Sequence, residues 1–127
     1  MIRILCVGLG GFLGAVLRYA ISGLVQDWSK SIDFPYGTLA VNIIGCLIIG
    51  LLSYVSESRG LFSAEMRLFV FIGILGSFTT YSTFSNEAMA LLGDGKHLMA
   101  LSYIGGHLFL GLGAVWLGHV LAWQIWR

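Results

Sequence analysis

The sequence predicts an all-α membrane protein of four transmembrane helices, the third of them broken. Three observations lead there. Of 127 residues, 57% are apolar and only 10% charged, with a mean hydropathy of +0.89, a balance foreign to soluble domains of this size. The apolar residues fall into four runs of roughly twenty, the length that crosses a ~30 Å hydrocarbon core as a helix. Within the third run, residues 77 to 85 carry seven hydroxyls in nine positions, which is too polar for lipid.

Span one covers about residues 4–25. It is longer than the core of a cleavable signal, and three equally apolar stretches follow it, so it reads as a permanent span. Gly10 and Gly14, four apart, invite a second helix to approach closely. The polar stretch from Gln26 to Asp33 suits a loop, and Pro35, Tyr36 and Gly37 mark a turn. Thr38 is placed to cap span two, about residues 38–55, which Ser56, Glu57, Ser58, Arg59 and Gly60 stop. Span three covers about residues 68–92, and Gly93, Asp94, Gly95 and Lys96 connect it tightly to span four, about residues 98–126. Trp28, Trp123 and Trp126 fall at span ends, where amphipathic rings anchor at the membrane interface. The whole chain, 1–127, is a single membrane domain, with no repeat or linker.

A net charge of +1 offers no basic patch, which excludes nucleic acid as a partner. Cys6 and Cys46 lie in apolar runs without CxxC spacing and read as small buried hydrophobes. Ser, His and acid never cluster as a nucleophile system requires, so no enzyme is expected. The cations bear on orientation. Arg3, Arg59, Arg67 and Arg127 share one side, Lys30 and Lys96 the other, and Arg18, inside span one near its second end, narrows the difference to four against three. So small a bias permits insertion both ways; a single orientation set by Arg59 and Arg67 accounts for the charges equally well.

The hydroxyl run is the candidate functional feature. Gly73 and Gly76 weaken the helix just before it and the hydroxyls compete for its backbone, so a local break is expected between Gly76 and Thr80. One or two such hydroxyls would simply bond back to carbonyls a turn earlier; seven favour a polar pathway. The other buried polar groups are mainly donors, Asn42 in span two and Arg18 in span one, and no acidic ring is present. Phe78, Tyr81 and Phe84 repeat every three residues and present partly positive ring edges, so the whole suits a small anion. Glu87 sits about 10 Å along the axis from the span centre. Arg18 either snorkels to the interface or attracts anions at a pore mouth. His107 reads as a histidine satisfied by a neighbouring helix in preference to a proton relay.

Three stretches together resemble the Fluc (CrcB-type) fluoride channels of prokaryotes: Gly11-xx-Gly14-xxx-Arg18; Gly37-Thr38-Leu39-x-Val41-Asn42-xx-Gly45-xxxx-Gly50; and Gly73-xx-Gly76-xx-Thr79-Thr80-Tyr81-Ser82-Thr83-Phe84-Ser85-x-Glu87. The resemblance covers the whole chain. It implies a dual-topology antiparallel homodimer in the plasma membrane, with two pores passing fluoride passively out of the cytoplasm. By motif, it implies Asn42 reaching into the pore, Tyr81 and Phe84 in two aromatic positions, and Ser82 and Thr83 on a polar track. It further implies that Gly76 and Thr79 carbonyls hold a structural sodium ion at the dimer centre. Tyr81 departs from the family's usual Phe; in span four Tyr103 matches a polar position, while a small polar residue near Gly111 is missing. The small multidrug exporters share the four short spans, but they rely on an acid in span one, where this chain has Arg18.

Overall fold

The computed structural model describes residues 1–126, and Arg127, one of the cations counted for orientation, lies outside them. Four helical spans account for nearly all of the described residues, and no strand occurs among them. Helix α1 runs Ile2–Ser29 and α2 Tyr36–Arg59. Span three, Ala64–Gly93, is built in pieces: α3 (Ala64–Arg67), a π-helical stretch Leu68–Leu75, α4 (Gly76–Phe78) and α5 (Tyr81–Gly93). Helix α6 (His97–Ile125) is the last element among the described residues.

The termini show why the elements begin and end where they do. Lys30 stops α1 in the left-handed conformation at φ 53°, its N–H bonded to the Asp27 carbonyl. The start of α2 corrects the expectation for Thr38. The helix already begins at Tyr36, and Pro35 in the cap position makes no side-chain cap bond. Instead Gln26, eleven residues upstream, accepts from the Gly37 N–H with its Oε1 at 3.0 Å and donates to the Ser31 carbonyl at 2.6 Å. The Thr38 hydroxyl is engaged elsewhere, with Glu87. Ser63 caps α3 by accepting from the Met66 N–H at 3.2 Å, an arrangement local sequence does dictate.

Two glycine-mediated crossings hold the bundle. Helix α1 packs on the π-helical stretch, where a Cβ on Gly10 would collide with the Phe69 carbonyl oxygen and one on Gly14 with that of Ile74. Helix α2 packs on α6, where Cβ atoms on Gly50 and Gly118 would strike the backbones of Val115 and Leu47. Such contact between backbones is how membrane helices associate without a hydrophobic effect to drive them. At one end Lys96 bridges to Asp33 at 2.6 Å and Asp94 at 3.6 Å, tying the two loops together. Hydrogen bonding to Asp33 holds the Lys96 ammonium above the ordinary lysine range. At the other end the Arg59 guanidinium donates to the Trp126 carbonyl.

Little of the chain is covered. The buried cluster is Ala88, Leu91, Ala100 and Tyr103, with Phe34, Leu39 and Phe84 against it. Most large apolar side chains of α1 and α6 face outward, as a lipid-facing bundle requires.

Candidate functional site

Span three is interrupted at its middle. Thr79 (φ −91°, ψ 158°) and Thr80 (φ −151°, ψ 117°) are extended between α4 and α5, so the break occupies the last two positions of the interval expected for it, and Gly76–Phe78 remain helical. Span two brings Asn42 against this break. Its Oδ1 accepts from the Thr80 N–H at 2.8 Å, and its Nδ2 donates to the Thr80 carbonyl at 3.1 Å, so a side-chain amide pairs with both backbone groups of one residue. Gly45, one turn further along α2, makes room: a Cβ there would collide with Thr79 Cγ2.

Thr80 then restarts the helix. Its hydroxyl accepts from the Thr83 N–H at 3.3 Å and bonds the Thr83 hydroxyl at 2.9 Å. Both diversions matter to the carbonyls left behind. In an unbroken helix the Thr80 N–H would serve Gly76 and the Thr83 N–H would serve Thr79; here they serve Asn42 and the Thr80 side chain.

The break separates two open grooves of about 560 Å³ each, and Thr80 lines both. One is walled by Asn42, Cys46, Thr79, Tyr81, Phe84 and His107. Phe84 is the centre of a ring cluster there, 5.6 Å from Tyr81, 5.6 Å from Tyr103 and 4.3 Å from His107 between centroids. Asn42 Nδ2 also lies 3.1 Å from His107 Nε2, and His107 Nδ1 lies 3.0 Å from the Tyr103 carbonyl.

The other groove is the more polar of the two, with Arg18, Ser22, Thr38, Thr80, Thr83 and Glu87 in its walls. Glu87 receives two hydroxyls here, Thr38 on Oε1 at 2.9 Å and Tyr103 on Oε2 at 2.6 Å. Both hydroxyls donate to it. Arg18 is half-buried and forms no ion pair among the described residues.

Most of the expected site residues therefore converge on the break. Asn42, Tyr81, Phe84, Gly76 and Thr79 line the first groove, Thr83 and Arg18 the second. Tyr103 is fully buried and joins through its hydroxyl on Glu87. Ser82 stands exposed outside both grooves. Thr38, Glu87 and His107 join the site without having been singled out for it. A sequence signal for Glu87 exists: Thr80, Thr83, Phe84 and Glu87 follow the i, i+3, i+4, i+7 pattern of one helix face.

The hydroxyls divide into kinds. Thr79 and Ser85 bond back to carbonyls one turn earlier, at 3.0 and 2.9 Å. The Tyr81 and Ser82 hydroxyls bond nothing within the chain among the described residues, and Tyr81 is 80% exposed at mid-span.

Residues 5–119 match the sequence profile of the family described as CrcB-like protein, Camphor Resistance (CrcB). The chain belongs to this CrcB-like family. Relatives agree along the length of this CrcB-like chain. The protein named "Fluoride-specific ion channel FluC 1" of Methanosarcina acetivorans is 48% identical over 122 residues, 96% of this chain and 92% of its own. "Fluoride-specific ion channel FluC" of Thermus thermophilus is 48% identical over 121 residues, covering 95% of both chains. The protein of the same name from Methylobacillus flagellatus is 41% identical over 121 residues, 95% of this chain and 94% of its own. With its four long apolar helices, the CrcB-like chain is a multi-pass protein of the plasma membrane.

Proposed function

We propose that the chain is one subunit of a fluoride-selective channel, passing fluoride out of the cytoplasm down its electrochemical gradient and so limiting fluoride toxicity. No covalent chemistry is part of this function. The observation that carries it is the broken third span, which sets donors and ring edges along two grooves at membrane depth. Fluoride is small and strongly hydrated, so several donors must replace its shell at once. The relatives named fluoride-specific ion channels, alike over nearly the full chain, support the choice of ion.

The functional unit is two chains packed antiparallel, with two pores. What supports this is the exposure of Tyr81, Ser82, Thr83 and Asn86 in the first turns of α5. Polar groups at that depth must face protein or water, and a second copy supplies both. The near-balanced cations fit insertion in two orientations. Asn42, Tyr81, Ser82, Thr83, Phe84 and Tyr103 line or support each path, and Arg18 draws anions toward the groove it shares with Glu87.

A structural sodium ion at the centre of the dimer fits the residues present. The carbonyls of Gly76 and Thr79 would hold it, since both have their usual helical donors turned elsewhere, and unwound carbonyls are the membrane ligand of choice for sodium. Gly76 is also exposed, as an interfacial site requires. The ion would supply positive charge to bind the two copies.

The test is anion efflux from proteoliposomes of purified protein. Fluoride leaves rapidly, chloride is retained, and flux needs no proton gradient. Proton-driven cation transport, or equal passage of chloride, refutes the reading.

A further inference from the structure

We propose that Asn42 and His107 form a hydrogen-bonded splint that holds the break in span three, and that the splint exists only while His107 is neutral. Its functional consequence rests on the channel reading above; its geometry does not.

Thr80 fixes which way round the Asn42 amide lies. The Thr80 N–H can only donate, so the atom 2.8 Å from it is the amide oxygen. The Thr80 carbonyl can only accept, so the atom 3.1 Å from it is the amide nitrogen. The second proton of that nitrogen then faces His107 Nε2 at 3.1 Å. A ring nitrogen that receives an N–H carries no proton itself, so the proton of the neutral ring sits on Nδ1. That atom lies 3.0 Å from the Tyr103 carbonyl, which can only accept. One assignment satisfies all four contacts.

Two conclusions follow. The Asn42 carbonyl and both of its N–H groups are engaged, so Asn42 acts through Thr80 as a positioning residue. Protonating His107 on Nε2 would set N–H against N–H. Turning the amide over would satisfy the histidine but set oxygen against the Thr80 carbonyl and nitrogen against the Thr80 N–H. Turning the amide over frees the Thr80 N–H to return to the Gly76 carbonyl, its partner in an unbroken helix. A proton on His107 therefore works against the break.

The groups around the histidine leave this coupling intact. Cys46 on α2 and Tyr81 on α5 line the same groove. Tyr103, on α6 with it, packs its ring 4.5 Å away, and Glu87 on α5, which accepts from the Tyr103 hydroxyl, is the acid whose charge reaches the ring. The π-helical stretch contributes only Phe71 and Leu75 to the groove, and α1 contributes nothing.

The test uses the full-length chain in lipid nanodiscs and planar bilayers. Nitrogen NMR of the His107 ring at about pH 8 should show Nδ1 protonated and Nε2 bare. Fluoride current, which neutral hydrogen fluoride does not carry, should fall roughly tenfold as pH is lowered from about 8 through and below the ordinary histidine range, the equivalent of about one lost hydrogen bond. In His107→Gln, whose amide oxygen accepts from Asn42 at any pH, that step should vanish. A protonated Nε2 at about pH 8, or an identical pH profile in wild type and His107→Gln, overturns the splint. Absence of fluoride current at every pH would refute the channel reading instead, and the ring nitrogens would still decide the splint.

Discussion

Gly45→Ala asks whether the break depends on one methyl group's worth of space. A Cβ at Gly45 collides with Thr79 Cγ2; its next neighbours, Phe78 Cδ1 at 3.5 Å and Thr79 Cβ at 3.7 Å, are ordinary contacts. Overpacking of this kind costs about 1–3 kcal/mol, against which the better helix propensity of Ala returns ~1 kcal/mol. The single variant should therefore lose up to about 2 kcal/mol and, because the strain falls on Thr79 inside the break, most of its fluoride flux. Thr79→Ser removes the offending methyl and keeps the hydroxyl that bonds the Leu75 carbonyl at 3.0 Å. Alone it should cost less than ~0.8 kcal/mol, since Thr79 is only half-buried. Combined, the two should couple favourably by about 1–3 kcal/mol and restore flux close to the Thr79→Ser level. Unfolding in mixed micelles followed by circular dichroism measures the stability cycle, and fluoride efflux from proteoliposomes the functional one. Simple additivity, with the double variant no better than Gly45→Ala, would refute the steric account.

Other expectations concern the polar groove and the crossings. Thr38→Val and Tyr103→Phe each remove a hydrogen bond to the Glu87 carboxylate, worth about 1.5–3 kcal/mol, and a double-mutant cycle should show the two are not independent. Fluoride efflux should fall in both variants. Gly50→Val should abolish the α2–α6 crossing, seen as loss of a monodisperse peak in detergent, whereas Gly113→Val, with open space around its Cα, should not. For the loop tie, the sign follows from the raised lysine. Its contribution is full below the ordinary lysine range and lost only as pH rises through the higher folded value, so stability changes from this pair appear in alkali and not between about pH 5 and 8. Lys96→Gln should flatten that alkaline limb in a thermal-unfolding series.

The spans were legible in the sequence because their signal is local: a hydrocarbon core demands a long apolar run, and each run lies in one stretch of chain. The break was legible too, through Gly76 and the hydroxyls, but only as an interval, of which it occupies the last two positions. What fixes it at Thr79 and Thr80 is the amide of Asn42, thirty-eight residues away. Thr38 went astray for the same reason. A capping rule weighs only near neighbours, whereas its hydroxyl answers to Glu87 across the bundle, and Gln26 does the capping from the preceding helix. Glu87 was set aside by its distance along the axis, a measure that misses the polar groove reaching in from the span end toward Thr80. His107 was rightly read as satisfied by a neighbouring helix, though nothing in the sequence indicates that its partner is the residue pinning the break.

The exposed hydroxyls in the first turns of α5 also have a bearing on how the protein is made. A newly inserted chain carries the bare hydroxyls of Tyr81 and Ser82 into the bilayer before anything covers them. On the antiparallel pairing proposed above, the solitary chain is a costly intermediate whose lifetime shortens as more chains enter the same membrane. Low expression would lengthen that lifetime and expose the chain to membrane proteases, so the yield of folded protein should rise more steeply than in proportion to synthesis.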